Sequence, residues 1–390
     1  MYADFKYIIK YIAVIIVMTI LKMLWIVPVR KKRILFISYN GKQFSDSPKY
    51  IYEYMSKVHT DYEYIWAFEC PDNYPDLNVK SVRYGSVDFI FKITNSEVVI
   101  TNNYLPSYIP IRKNQIVLNT WHGGGALKKC GLARDESTLY DKLFFKLHRK
   151  KYTAFLSGSK MVSEKLYKES FDFDKEILEY GLPRNAVLFS DHEEYRNRVL
   201  KYCGITNKNT KIVLYAPTFR GEADAGTFIS ETDQIDCLKC TESFKNYYHE
   251  NIEFLFRTHH AMKINADFHG MADVSEYDDM QELLCAADVL ITDYSSCMYD
   301  MALMKKPVFL YVPDIEKYVD ERGFYYDFYS LPFPICASND EISSNIINFD
   351  AVKYKSDVNR YLSEIGCCES KFAVEKTCEW ICKKINGSKK

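Results

Sequence analysis

The sequence has no surplus of positive charge. Its 51 Lys and Arg stand against 52 Asp and Glu, a net charge of −1. A protein that grips a nucleic-acid backbone is normally basic, so nucleic acid is not an expected partner. Paired cysteine motifs are also lacking. The 12 cysteines are scattered. Cys237-Leu238-Lys239-Cys240 is the only C-x-x-C, and no second pair follows at zinc-site spacing. Cys378 and Cys382 share only a helix-face spacing. No metal site is expected. The absence of a disulfide framework places the soluble part in a reducing compartment. H-E-x-x-H, EF-hand and Walker A patterns are missing, and the last of these argues against an ordinary ATPase. There is no low-complexity tract and no repeat of solenoid period.

What is present begins with one long apolar run. Residues 11–29, YIAVIIVMTILKMLWIVPV, are interrupted only by Lys22 and approach the length of a membrane span. Arg30-Lys31-Lys32-Arg33 follows, which keeps the remainder on the cytoplasmic side by the positive-inside tendency. A basic cluster where a small-residue cleavage site would stand argues against a removable signal. Residues 1–33 are therefore expected to be a membrane anchor with a basic flank. The helix spans the bilayer or lies in its interface, and Lys22 suits either arrangement. The competing structural reading is a buried core helix.

The other 357 or so residues suit two domains. Short apolar runs at 34–38, 64–67, 98–101, 116–119, 154–157 and 177–180 read as buried strands with helices between several of them. A charged stretch at 191–211, with a helical pattern at 193–202, marks a boundary. Strands at 211–216 and 252–257, and two more within 282–314, form a second series. Alternation of this kind implies α/β architecture with parallel sheets. The expectation is two Rossmann-like domains facing a cleft, 34–200 and 201–390, with a helical tail from 352 packing back. Ligands of such sheets bind beyond the carboxyl ends of the strands.

Chemically suggestive residues fall at those ends. In Asn119-Thr120-Trp121-His122-Gly123-Gly124-Gly125-Ala126-Leu127-Lys128-Lys129, an imidazole suited to proton transfer precedes three glycines that admit a close ligand. His-Gly-Gly-Gly also forms the oxyanion loop of some lipases, but the G-x-S-x-G elbow that reading needs is missing, so a hydrolase is set aside. Thr218-Phe219-Arg220-Gly221 and Arg257-Thr258-His259-His260 put hydroxyl, guanidinium and imidazole groups after strands, and Arg recognises phosphate in a fixed fork. Asp293-Tyr294-Ser295-Ser296 stands at a strand-to-helix turn. The serines cap the helix, and its unpaired N–H groups offer an anion site. Arg322-Gly323 follows the last strand. Taken alone, the histidine is more often structural, the arginines read as surface ion pairs, and the Asp293–Ser296 turn is as readily a helix cap.

Taken in order, Trp121-His122-Gly123, Gly181-Leu182-Pro183-Arg184-Asn185, Tyr215-Ala216-Pro217-Thr218-Phe219-Arg220, Arg257-Thr258-His259, Leu290-Ile291-Thr292-Asp293-Tyr294-Ser295-Ser296 and Arg322-Gly323-Phe324-Tyr325 resemble the CDP-glycerol glycerophosphotransferase family of teichoic-acid synthesis. The resemblance implies a GT-B-like fold and peripheral attachment to the membrane. It implies transfer of a polyol phosphate from a CDP-activated donor, CDP-glycerol or a similar CDP-polyol, to an undecaprenyl-type lipid-linked glycan, with release of CMP. By position, His122 and His259 would be catalytic. Thr218, Arg220, Arg257, Asp293, Ser295, Ser296, Arg322 and Gly323 would hold the donor, and Gly123, Gly124, Gly125 and Lys128 would face the acceptor. The sequence itself requires no cofactor, the CDP-polyol being a substrate, and it leaves metal dependence open. Two departures stand out: Gly124-Gly125 replaces a usual Thr-Pro, and His260 replaces the Pro after the second histidine, leaving the catalytic imidazole there as His259 or His260. The long N-terminal region of the larger polymerases has no counterpart, which suggests a priming or short-chain enzyme or a related surface-glycan transferase. The rival readings are a GT-B glycosyltransferase using a sugar nucleotide and a membrane-bound scaffold that binds nucleotide without turnover.

Overall fold

The structure, a computed structural model, describes residues 2–134, 137–218, 234–257 and 271–387, with the backbone alone at 2–6 and 320–322. It divides into two compact units. The first comprises Met1–Gly123, Lys129–Ala186 and Cys368–Lys390; the second comprises Gly124–Lys128 and Val187–Cys367. The main division thus falls at 186/187, ahead of the 200/201 boundary expected from charge.

The first unit holds a seven-stranded sheet in the order β3-β2-β1-β4-β5-β6-β7. Its strands are β1 Arg30–Ile37, β2 Glu63–Phe68, β3 Lys80–Arg83, β4 Ser96–Thr101, β5 Ile116–Asn119, β6 Ala154–Leu156 and β7 Glu176–Leu178. All pairings are parallel. The central strands are apolar on both faces because helices cover both. Ile34, Leu35, Phe36 and Ile37 are almost fully buried, as is all of β4. One face packs Phe36, Trp66, Val98 and Leu118 against Ile51 and Met55 of the helix Asp46–Val58 and Ile381 of the helix Ala373–Gly387. The tail therefore belongs to this unit, and Trp380 Nε1 donates to Glu176 at 3.0 Å.

The second unit holds a six-stranded parallel sheet, β10-β9-β8-β11-β12-β13, from β8 Lys211–Ala216, β9 Ile252–Phe256, β10 Met271–Asp273, β11 Val289–Thr292, β12 Val308–Tyr311 and β13 Ile335–Cys336. In each sheet the strand order reverses once beside the first strand, between β1 and β4 and between β8 and β11. Such a reversal opens a crevice at the carboxyl edge.

The N-terminal helix Tyr2–Leu21 continues as a tight turn, Lys22–Ile26. Its exposure has a stripe. Tyr7, Tyr11, Val14, Met18, Leu21 and Trp25, spaced by four and three, are half-buried, whereas Ile8, Ile9, Ile12, Ile16 and Ile20 are exposed. The stripe packs on the helix Leu139–His148, with the Tyr7 and Tyr140 rings 5.3 Å apart. The Arg112 guanidinium donates to the carbonyls of Leu24, Trp25 and Val27 at 2.6–3.2 Å, closing the carboxyl end of the turn. The basic cluster is not a loose flank: it forms the first half of β1. Arg30 and Arg33 pair with Glu63, Lys31 with Glu97 and Lys32 with Asp61. All 12 cysteines are free thiols. Among the described residues no group of three or more His, Cys, Asp or Glu is placed to hold a metal ion.

Candidate active site

In the first unit the site is built at the switch between β1 and β4 and on the neighbouring β5. Asn119 ends β5, and its side chain accepts the Trp121 N–H at 2.8 Å, an Asx turn that bends the chain sharply. Thr120 N donates to Thr101 O at 2.8 Å, the last rung to β4. Trp121 is then left-handed, φ 54°, and swings His122 back over the end of β4. There His122 Nδ1 lies 2.9 Å from the Asn102 carbonyl oxygen. A carbonyl only accepts, so Nδ1 carries the hydrogen, and Nε2 is the basic nitrogen of the neutral ring. Asn102 is held by the Tyr39 N–H, which donates to its Oδ1 at 2.8 Å. The Trp121 ring lies 4.5 Å from the imidazole and leads into an aromatic cluster with Tyr104 and Phe171.

The groups that hold this loop carry little signal in the sequence. Arg184 was visible in Gly181-Leu182-Pro183-Arg184-Asn185 without a role. Its Nη1 donates to the His122 carbonyl at 2.7 Å and to the Asp46 carboxylate at 3.1 Å. Glu369 accepts from Leu182 N and Asn185 Nδ2. Its carboxylate comes so close to Gly181, φ 83°, that a Cβ there would meet it at 2.8 Å. Asn102 carried one signal, a polar residue just past a buried strand. Asp46 and Glu369 carried none, because their partners are 138 and 187 positions away.

In the second unit, Thr218 follows β8, Arg257 follows β9 and Asp293–Ser296 follow β11, so the described donor candidates share one carboxyl edge around the switch between β8 and β11. The Asp293 carboxylate is buried and accepts the Thr218 N–H at 2.9 Å and its neighbour's, Tyr294 N, at 2.5 Å. Its task is to tie the loop after β8 to the turn after β11. Ser295 and Ser296 are the accessible members of that turn. Ser295 Oγ accepts from Cys297 N at 3.5 Å, and Ser296 stands immediately before the helix Cys297–Leu303. Arg257 is half-buried, and its Nη2 is 3.5 Å from the Asp278 carbonyl. Gly323, φ 65°, ends the helix Ile315–Arg322. Arg220, His259 and His260 lie outside the described residues, as does the Arg322 side chain.

The glycine loop is shared. Gly123 counts with the first unit, while Gly124, Gly125 and Lys128 count with the second. There Lys128 bridges to Phe324, Tyr325 N donates to Leu127 O at 3.0 Å, and Lys128 Nζ sits 5.3 Å from the Tyr318 ring centre. Gly125 lies on the face of Tyr299, and a Cβ would sit 2.0 Å from that ring. This is the physical reason for a glycine where the resembled family has Pro.

With the geometry in place, comparison with known proteins is decisive. A family model described as CDP-Glycerol:Poly(glycerophosphate) glycerophosphotransferase matches residues 19–372. The chain belongs to this family. The chain is 33% identical over 361 residues to a teichoic acid poly(glycerol phosphate) polymerase of Bacillus spizizenii, covering 87% of this chain and 89% of that one. It is 29% identical to a teichoic acid glycerol-phosphate transferase of Staphylococcus aureus, covering 90% and 93%. It spans 46% of the length of the Bacillus subtilis poly(glycerol phosphate) polymerase. The solved wall teichoic acid polymerase TagF superposes with a TM-score of 0.81 at 28% identity over the whole of both chains. One TagF structure was soaked with CDPG. A UDP-GlcNAc 2-epimerase of Neisseria meningitidis, 11% identical with a TM-score of 0.52, covers 90% of this chain and shares the fold. The fold is GT-B-like, and the protein is a transferase of the teichoic acid polyol-phosphate polymerase and primase type.

Proposed function

We propose that this transferase moves glycerol phosphate from CDP-glycerol to a hydroxyl of an undecaprenyl-type lipid-linked glycan and releases CMP. The observation that carries the reading is the His122 ring, whose Nδ1–H is committed to Asn102 and whose Nε2 is its basic nitrogen. The acceptor oxygen attacks the β-phosphorus of the donor. Its proton passes to Nε2, and the bond from phosphorus to the bridging oxygen breaks to free CMP. Such transfer depends on positioning and electrostatics more than on covalent catalysis. Arg257, Thr218, Ser295 and Ser296 supply cation and donors for the pyrophosphate, and His259 assists the leaving group. Asp293 holds Thr218 in place. Gly124, Gly125 and Lys128 receive the acceptor. Glycerol is favoured over ribitol by identity: 33% to the glycerol phosphate polymerase against 27% to a ribitol-phosphate polymerase of the same organism.

The exposed isoleucine face of the N-terminal helix rests in the cytoplasmic leaflet. Its half-buried stripe is occupied by the helix Leu139–His148, which supports an in-plane helix over a free span. The test offers CDP-glycerol, CDP-ribitol and UDP-sugars with acceptor membranes and weighs the product. A glycerol-phosphate increment with CMP release is expected. A hexose increment identifies a glycosyltransferase instead, and a ribitol-phosphate increment corrects the polyol. His122→Ala should lower turnover by about 10²–10⁴-fold in a folded protein; normal turnover removes His122 from the mechanism.

A further inference from the structure

We propose that Arg184 is a positioning residue for His122, acting with Asp46 through the histidine's own peptide carbonyl. The inference rests on the reading of His122 as the proton acceptor. Arg184 and Asp46 are 4% and 2% exposed, and one guanidinium nitrogen bridges the Asp46 carboxylate and the His122 oxygen at 3.1 and 2.7 Å. A buried ion pair is a poor source of stability, because desolvation offsets most of the attraction. This pair does something else with its geometry: it grips the catalytic loop at the residue that carries the imidazole.

The surroundings are unusually constrained. Tyr39, Asn40, Asp46 and Trp121 all have positive φ, 44–61°, a region that costs a non-glycine residue about 1–2 kcal/mol. Strain of this kind persists where neighbouring contacts over-determine it, and it gathers at functional sites. These contacts close a ring. The Tyr39 hydroxyl donates to Asp46 at 2.8 Å and its N–H to Asn102. Asn102 receives the imidazole N–H, and Arg184 joins Asp46 to the His122 carbonyl. Asn102 thus fixes the tautomer of the ring, and Arg184 fixes where the ring starts from.

Removing Arg184 alone leaves Asp46 buried and uncompensated, so the informative variant is Arg184→Met with Asp46→Asn, beside the conservative Arg184→Lys. All are read in the full chain on membranes. Nitrogen-15 spectra of the histidine rings report the His122 tautomer, and CMP release gives kcat and KM. In the folded double variant the Nδ1–H tautomer loses its dominance. The kcat falls by about tenfold or more while KM for CDP-glycerol changes by less than about twofold, the pattern of lost orientation. Arg184→Lys recovers part of both. Should the double variant not fold, Arg184→Lys decides, with a smaller shift in the same two readouts. An unchanged tautomer and kcat in a folded variant overturns the proposal. A melting temperature that falls with an unchanged tautomer assigns the pair a structural role only. If His122→Ala proves active, the catalytic reading fails, while the ring spectra still decide whether Arg184 positions His122.

Discussion

His122 and His148 show one side chain held in two different surroundings. His148 is 1% exposed, stacks on Phe144 at 3.9 Å and has Nε2 at 3.0 Å from the Ser107 hydroxyl. Burial, and secondarily the Lys151 charge, push it down to about 2. The unfolded chain therefore takes up a proton near pH 6.5 that the folded chain refuses, and stability present above pH 6.5 is lost as the pH falls toward 2. Each pH unit in that window costs about 1.4 kcal/mol. His148→Gln should flatten the acid limb of the first unit's unfolding profile, removing about 2–3 kcal/mol of pH dependence between pH 6.5 and 4.5; an unaltered slope refutes the assignment. Gly125 makes the second residue-scale case. Gly125→Ala should lower the second unit's stability by about 1–3 kcal/mol through overpacking. Tyr299→Leu in the same chain should recover much of the loss in thermal melts, and strict additivity of the two changes would show no shared contact. The roles of Gly125 and Arg184 were not legible in the sequence, because each depends on a partner brought near only by the fold. The placement of His122, by contrast, was legible: the apolar run 116–119 marks a buried strand, and the imidazole follows its end.

Among the elements, the buried strands were readable because a doubly covered parallel strand is a continuous apolar run, as in β1, β4, β8 and β11. The strands not foreseen, β3, β10 and β13, lie at sheet edges. They are two to four residues long, and only Val82 and Cys336 among them are buried, so no apolar pattern announces them. The apolar helix was readable as an element, but not its docking, since a stripe of Tyr7, Tyr11, Val14 and Met18 is nearly as apolar as the isoleucine face it opposes. Arg112 is the element's fastening. Hydrogen bonds to a charged group are worth about 1.5–3 kcal/mol. Arg112→Leu should therefore speed amide exchange across residues 22–27 by about tenfold or more, with β1 unchanged. Equal exchange in the two proteins would mean that the turn holds itself. The same logic corrects the basic cluster: cations spent on Glu63, Glu97 and Asp61 are less available to anionic lipid than four consecutive letters suggest.

At the scale of the whole molecule, the proposed function puts the chemistry at the carboxyl edges of both sheets, whereas the amino edges carry charged, well-paired surface. On the second sheet's amino edge, Lys306 donates to the carbonyls of Cys285 and Ala287 at 2.9 and 2.7 Å, and Arg196 to Asp288 at 3.1 Å. The division of labour predicts where donor acts. CDP at about 100 times its Kd should stabilise the second unit by about 2.7 kcal/mol. It should slow amide exchange at Thr218 and at Ser295–Met298, while β1 to β7 exchange as before. Slowing confined to the first unit would reverse the assignment of donor and acceptor. The family was legible from six ordered motifs and the paired α/β series; what was not legible is which unit owns the glycine loop, since a chain that leaves one unit for five residues and returns leaves no compositional mark. The Arg112 fastening carries a last consequence at this scale. A helix clamped at its carboxyl end and seated along its length is a fixed leg, not a swivel. Whatever surface receives its isoleucines, the height of His122 above that surface is set by the fold, so under the proposed function the hydroxyls it reaches form a layer at one altitude rather than a sphere around a tether.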